Sequence, residues 1–346
     1  MSARATNLTI FALLLLEGAS GLGSFLVGAP EGRWVFWLHS LGGFTLLVVL
    51  AWKWRIIRRS FRRRGSGVWA LAPVLLLLVF LATLLTGLLW STVGLPNVAL
   101  PLYGRISGLT FHVLLALLLL PFVVIHLLAR WPRTRPRDFA SRRAALRSAA
   151  VFGAGLIAWQ GVEWSSGLIS LPGARRRFTG SVEQDSFQGN AHRTTNWLSD
   201  SRQHIDPDTW RLRIHGDVAA ELRLTYDDLV VAKHRRAILD CTGGWFTEQD
   251  WSGLSVADLL RRVQPGPEAR SLVFQSATGY DRRFPLSHAD RLLLATHVGG
   301  EALSASHGFP LRLVAPGRRG YHWVKWVTSM EVSDRPAWWQ PPLPLQ

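Results

Sequence analysis

The chain has 346 residues, room for two or three domains, and 48% of them are hydrophobic while only 18% are charged. With 17 Trp and a single Cys, that balance excludes a disordered chain, a collagen-like repeat and a disulfide scaffold. The formal net charge of +16 would suit nucleic acid, but its distribution excludes that partner. Residues 1–171 hold 17 Lys and Arg against four acids, and residues 172–346 hold 22 against 19. The excess gathers in two clusters, Lys53 to Arg64 and Arg130 to Arg147, between apolar runs, which is the charge pattern of a multi-pass membrane protein.

Five apolar stretches, 8–28, 34–52, 68–90, 108–129 and 149–171, are long enough to span a hydrocarbon core of roughly 30 Å. The connections 53–67 and 130–148 each carry seven Lys or Arg, whereas 29–33 and 91–107 are poor in them. The positive-inside rule places the N-terminus and both basic loops in the cytoplasm, and five crossings deliver residues 172–346 to the outer face. A cleaved signal peptide is the competing reading for residues 1–28, but the run is long and the cleavage-site signal weak.

An internal repeat organises this half. Ser20-Gly21-Leu22 through Val27-Gly28 aligns without gaps on Thr86-Gly87-Leu88 through Val93-Gly94, and His39 then aligns with His112 after a longer loop. A helix pair therefore occurs twice, each second helix carrying a His near its outer end, which predicts a four-helix bundle. Ionisable groups at membrane depth point to function. His39 and His112 at matched depth suit the two axial ligands of one haem iron, with Gly42 and Gly43 leaving room for the macrocycle. The alternative is two His bonded to backbone carbonyls between helices. His126 lies 14 residues beyond His112, roughly 21 Å along the helix, and is either a ligand of a second, inner haem or an interfacial His. Its repeat-equivalent is Lys53, so an inner haem needs a Lys ligand, one from elsewhere, or an open site.

Residues 8–130 resemble the bacterial membrane cytochromes b of the b561-like four-helix type. The resemblance implies haem b: one outer haem on His39 and His112, and an inner one that Lys53 puts in question. Between the halves, Ser141-Arg142-Arg143-Ala144-Ala145-Leu146-Arg147 resembles a twin-arginine export signal, with Ala145 where a Phe is usual. That signal implies an outer domain folded around a cofactor before it crosses; paired Arg in a cytoplasmic loop is the ordinary alternative.

From Phe178 the texture changes to short β-type runs broken by Gly, Pro and Asp. Trp210 to Gly216, Ser271 to Ser276 and Leu311 to Pro316 read as strands, and Leu254 to Val263 as a short amphipathic helix, so this part is a mixed α+β domain. Cys241 follows the strand-like Ala237-Ile238-Leu239-Asp240 and precedes Thr242-Gly243-Gly244-Trp245. A thiol on a Gly-rich turn is either a buried structural Cys or a soft-metal ligand.

Asp240-Cys241-Thr242-Gly243-Gly244-Trp245, then Trp251-Ser252-Gly253-Leu254 with Leu259-Leu260, resembles the sulfite oxidase superfamily of molybdopterin enzymes. So do Gly308 to Gly317 and Gly320-Tyr321-His322-Trp323-Val324-Lys325-Trp326, and the likeness covers about 180–335. It implies that the Cys241 thiolate binds molybdenum beside the two dithiolene sulfurs of one pterin. By motif position His307 stands where the methionine-sulfoxide-reductase branch has a pterin-contacting Asn, and Arg312 matches the Arg that accompanies it. Trp323, Val324 and Lys325 match the segment that holds the pterin phosphate, and Ser276 a small hydroxyl residue on the strand after the Cys. Arg193, Asn196 and Trp197 match the N-terminal pocket segment more loosely. Sulfite oxidases of animals and plants follow the Cys with Ala-Gly-Asn-Arg, whose Arg helps receive sulfite; Thr242 to Trp245 holds no cation, which weakens sulfite as substrate. Tyr280, Asp281, Arg282 and Arg283 are candidates for the cavity lining.

The sequence therefore reads as a multidomain chain. It has an all-α membrane bundle of five transmembrane helices (1–130, with the basic loop and fifth helix in 131–177) followed by an α+β molybdopterin-binding domain (178–346). The function expected is a membrane-bound molybdopterin oxidoreductase of a bacterial inner membrane, N-terminus cytoplasmic and C-terminal domain periplasmic. It moves an oxygen atom to or from a small-molecule or protein-bound oxide, with a slight lean to S- or N-oxide reduction. Haem b connects it to quinone, quinol or another electron carrier. The alternatives are a sulfite-type dehydrogenase and a non-catalytic membrane electron-transfer or cofactor-binding protein.

Overall fold

The computed structural model describes residues 2–63, 71–95, 97–100, 104–130, 142–197, 200–229, 231 and 233–344. The basic loop residues 131–141, Ser141 of the twin-arginine-like run among them, lie outside the described residues, as do residues 64–70. The chain divides into two compact units, one of residues up to Ser24 with Glu31–Gly180, the other of Phe25–Pro30 with the residues from Ser181 onward.

The first unit is helical: α1 (Ala3–Ser24), α2 (Trp34–Arg63), α3 (Leu71–Ser91), α4 (Gly108–Arg130) and α5 (Arg142–Leu168), with a short hairpin β1 (Val98–Leu100) and β2 (Gly104–Ile106) between α3 and α4. Helices α1 and α2 pack as one pair and α3 and α4 as another, as the repeat predicts, and α5 packs on α2. Gly155 of α5 faces Thr45 of α2, where an added Cβ would collide with the threonine, so a small residue lets the two helices approach.

Among the described residues four helices are long and apolar enough to cross a membrane: α1, α2, α3 and α4. The fifth apolar run forms helix α5, but it is not among these four: Gly153, Gln160, Gly161, Glu163, Ser165 and Ser166 dilute its apolar character.

The second unit is built on two sheets. Sheet one runs β11 (Glu301–Ala302), β10 (Leu293–Val298), β7 (Trp245–Ser255) and β3 (Val182–Glu183), with β12 (Arg312–Val314) also on β10 and β6 (Lys233–Cys241) also on β7. Sheet two runs β5 (Leu222–Leu224), β4 (Leu212–Gly216), β13 (Val327–Ser333), β8 (Ser271–Ser276) and β9 (Asp281–Pro285). The core between them is apolar, with Leu212, Ile214, Trp251, Phe274, Leu293, Leu313 and Met330 all fully buried. The helix expected from Leu254 begins later, as α6 (Val256–Val263). Leu254 pairs with Leu294 in the ladder, and Ser255 caps the helix by accepting from the Asp258 N–H. Arg261 and Arg262 stand in its last turn, favourably placed at the negative end of the helix dipole.

Gly253 has no room for a side chain: a Cβ there would stand 2.7 Å from the Ala295 Cα across the ladder, beside the Leu294 carbonyl. Both neighbours are backbone and cannot swing aside. Gly253→Ala is expected to cost about 1–3 kcal/mol of stability. Gly161→Ala, in a helix with nothing within 4 Å of the new Cβ, is expected to cost nothing. Thermal unfolding of the two variants checks the contrast.

Candidate active site

Strands β6 and β7 form a tight antiparallel hairpin that closes at the Cys241–Trp245 pair. The Gly244 N–H donates to the Cys241 carbonyl at 3.1 Å, and Gly244 has φ of +86°, a backbone shape that favours glycine. The Gly243 N–H points at the Cys241 Sγ, 3.3 Å away. Burial pushes the thiol up, against the Gly243 N–H and the Arg319 charge, which pull it down. A metal at this sulfur would reverse the balance, because a coordinated thiol is held as thiolate.

The residue before the thiol is locked from behind. Asp240, buried, accepts from the Ser181 hydroxyl and from Arg319 Nη1, both at 2.7 Å, and Arg319 Nη2 donates to the Cys241 carbonyl at 3.2 Å. Gly320 then lies against the turn, where an added Cβ would be 3.3 Å from the Cys241 Cα.

A second group, carried by β12 and the segment after Gly320, is cationic. Arg312 is 3% exposed, donates to the His307 carbonyl at 3.1 Å and lies over the Trp251 and Trp323 rings at 5.3 and 5.8 Å. Its Nε has no partner. Lys325 donates to Asn196 Oδ1 at 2.7 Å and to the Ser306 carbonyl at 2.9 Å, with Trp326 beside it. Burial pushes Arg312 down to about 9 and Lys325, helped by the Arg312 charge, to about 7; the charge of Cys241 opposes both shifts. Among the described residues no carboxylate forms an ion pair with either one. Two buried cations with an unspent N–H and no counter-ion fit an anionic group such as a phosphate ester.

Of the residues read from the sequence, the structure joins Arg312, Lys325, Asn196, His307 and Trp323 in one cluster, with Val324 holding its backbone through the Leu313 N–H. Arg193 donates to Gln184 and lies over the Trp245 ring, and its charge reaches Cys241. Trp197 packs on Tyr321 at 5.5 Å and donates to the Pro344 carbonyl. Ser276 is the last residue of β8, on a strand after the Cys as expected, and its hydroxyl accepts from the Thr278 N–H of the following turn. Sequence reasoning did not find His192. Its ring lies 4.2 Å from that of His307, and its carbonyl receives His307 Nε2 at 2.9 Å. The two are 115 positions apart in the chain, so no local pattern marks them.

In the helical unit the His39 and His112 rings stand 6.3 Å apart between centroids. Each Nδ1 lies 3.1 Å from the hydroxyl at the repeat-equivalent position of the preceding helix, Ser20 for His39 and Thr86 for His112, and those hydroxyls donate to the Leu16 and Ala82 carbonyls. The glycine after each hydroxyl residue makes room for the ring: a Cβ on Gly21 or Gly87 would lie 3.5 or 3.0 Å from the imidazole Cε1. The space expected over Gly42 is not open, because the Glu17 carboxyl occupies it, with its other oxygen 3.1 Å from His39 Nδ1. Lys53, the repeat-equivalent of His126, donates to Asn7 at 2.9 Å.

Residues 199–339 match the oxidoreductase molybdopterin binding domain family. The chain is 30% identical over 164 residues to a mitochondrial sulfite oxidase of Drosophila melanogaster, covering 38% of this chain and 28% of that protein. It is 29% identical over 174 residues to a nitrate reductase [NADPH] of Mycosarcoma maydis, covering 37% of this chain and 18% of the relative. It is 27% identical over 142 residues to the uncharacterized oxidoreductase YuiH of Bacillus subtilis, covering 39% and 72%. The chain thus spans under a third of the sulfite oxidase and nitrate reductase it matches. A solved structure, the sulfane dehydrogenase SoxCD from Paracoccus pantotrophus, aligns at 29% identity with a TM-score of 0.37, over 39% of this chain and 40% of that one. The C-terminal unit carries a molybdopterin-binding oxidoreductase domain.

Burial pushes His307 down to about 4 and His192 to about 3, so both rings are neutral at pH 7. An unfolded chain takes up protons on them near 6.5 while the folded one does not. Their contribution is therefore complete above about 6.5 and is lost as pH falls towards 4. The thermal midpoint of cofactor-free protein is expected to drop across that window, and His307→Asn to flatten the drop.

Proposed function

We propose that this chain is a membrane-bound molybdopterin oxidoreductase whose outer domain transfers an oxygen atom at Cys241 and whose helical domain carries electrons through haem b. The observation that supports it most is the pairing of a lone thiol on a glycine turn with a buried cationic cradle that has no carboxylate ion pair among the described residues. Cys241 would supply the metal-bound sulfur. Arg312 and Lys325 would hold the cofactor phosphate, with Asn196 and the Ser306 carbonyl orienting the Lys325 ammonium and the tryptophan faces orienting the guanidinium. His307, fixed by Ser304 and by the His192 carbonyl, presents a neutral ring beside them. Arg193, Trp197 and Val324 complete the lining, and Ser276 shapes the turn before Tyr280.

Bound there, molybdenum supplies two-electron chemistry with an oxygen atom gained or lost, and haem iron supplies one-electron transfer. His39 and His112 suit a haem because the facing hydroxyls give their protons to helix carbonyls, so each Nδ1–H would donate to a hydroxyl oxygen and leave Nε2 for a metal. His126 is the candidate ligand of an inner haem. The four apolar helices are compatible with a membrane anchor. In this reading α5 crosses too, with the N-terminus and basic loops in the bacterial cytoplasm and the C-terminal domain in the periplasm, exported by the twin-arginine-like run. Quinol or another carrier is the electron partner. The substrate class is an S- or N-oxide, small or protein-bound, because Thr242 to Trp245 offers no cation to sulfite. Sulfite-type dehydrogenation is the second reading, favoured by the likeness to the Drosophila sulfite oxidase.

Detergent-purified protein, reduced anaerobically with a quinol analogue, tests the reading through its haem absorption. Methionine sulfoxide is expected to re-oxidise the wild type rapidly. Cys241→Ser is expected to keep the haem spectrum and lose the re-oxidation. A spectrum without haem would overturn the electron route, and re-oxidation equal in Cys241→Ser would overturn the role of the thiol.

A further inference from the structure

A second set of buried nitrogen groups, one on β9 and one on the segment that carries Lys325, has no place in its cradle. Arg282, on β9, is 2% exposed; it donates to the Pro341 carbonyl at 3.2 Å and lies over the Tyr321 ring at 5.4 Å. Its Nε has no partner, and among the described residues no carboxylate forms an ion pair with it. On the other neighbour of that ring, His322 is 7% exposed, stacked 4.3 Å from Tyr321 and 5.7 Å from Phe284, and its Nδ1 has no partner either. Burial first, then the charges of Arg282 and Arg318, push His322 down to about 2, so its ring is neutral and offers one N–H. The field of the adjacent Asp281 on Arg282 is smaller than the effect of burial, which lowers the guanidinium.

A guanidinium sealed from water with an unspent N–H is costly unless an anion meets it. Around it stand a neutral imidazole and the aromatic rings of Tyr321 and Phe284, held by packing. Tyr321 directly follows Gly320, the residue laid against the Cys241 Cα, and the Tyr280 hydroxyl donates to the Tyr321 carbonyl. The set is thus tied by backbone to the thiol turn.

We propose that Arg282 and His322 form an oxyanion-binding subsite, separate from the Arg312 and Lys325 cradle, that receives the anionic oxygen group of the substrate. The link to a substrate rests on the oxidoreductase reading; the anion site itself does not. Arg282 would supply from β9 the charge that the turn after Cys241 lacks, so an occupied subsite favours the second reading, an oxyanion such as sulfite, over a neutral S- or N-oxide.

Inorganic sulfate is the probe, titrated calorimetrically into the full-length protein in detergent, with molybdenum content measured on the same samples. Wild type is expected to bind sulfate saturably. Arg282→Gln is expected to weaken that binding by roughly tenfold or more, as loss of a charged hydrogen bond predicts, at unchanged molybdenum content. Arg283→Gln, the next residue along β9, is expected to leave it intact. Arg282→Lys keeps the charge and, if Arg282→Gln does not fold, is expected to show a smaller weakening; His322→Gln reads the second donor. Equal sulfate affinity in wild type and both Arg282 variants overturns the subsite. Loss of molybdenum in a folded Arg282→Gln also overturns it, because Arg282 then belongs to the cofactor. Sulfate binding that depends on Arg282 in a protein without molybdenum keeps the subsite and overturns the oxidoreductase reading instead.

Discussion

A positive charge buried without a carboxylate partner among the described residues is the constraint on which the C-terminal domain turns. Arg312 and Lys325 are almost wholly removed from water, and neither is compensated by a carboxylate ion pair among the described residues. Carbonyls and tryptophan faces hold them in place but cannot balance the charge. Such an arrangement is expensive in an empty protein and favourable around an anion, which is why it speaks for a ligand rather than for stability. The contrast lies a few residues away: Arg319, equally buried, is paired with Asp240.

One stretch of chain joins these parts. Arg319 grips the residue before the thiol, Gly320 lies on the thiol's own backbone, Tyr321 and His322 pack with Arg282, and Trp323 and Lys325 enter the cradle. A displacement of this segment would therefore move the thiol, the cradle and the second cation together. The helical unit uses a simpler device, repetition. A hydroxyl and a glycine on the first helix of each pair fix and seat the His on the second, so duplication alone brings two imidazoles to one level. Glu17 breaks that symmetry, standing beside His39 where the other half has Thr83.

The legible features were those with local signatures. The thiol on its Gly turn, the short interval from His307 to Arg312, and the repeated Ser/Thr-Gly pair all stand in short runs of sequence. The long strand β7 was not legible, because its inward face carries Thr247 and Gln249, fully buried polar groups that spoil the apolar alternation. Only the fold shows what satisfies them: Gln249 donates to the Asp185 carbonyl and to Thr247, and accepts from the Gly189 N–H. His192 was hidden for the same reason, and Arg282 stood out no more than Tyr280, Asp281 and Arg283 beside it, since burial and missing partners are properties of the fold rather than of neighbours in sequence. Gly42 misled in a different way. A small residue near His39 suggested open space, and the space belongs to Glu17.

The central claim is that Cys241 binds molybdenum beside a cradle built for its anionic cofactor. X-ray absorption at the molybdenum edge, on wild type and Cys241→Ser of matched metal content, tests it most directly. The account predicts one fewer sulfur neighbour around the metal in the variant. An unchanged sulfur shell would contradict it, and would place the thiol outside the metal's coordination sphere.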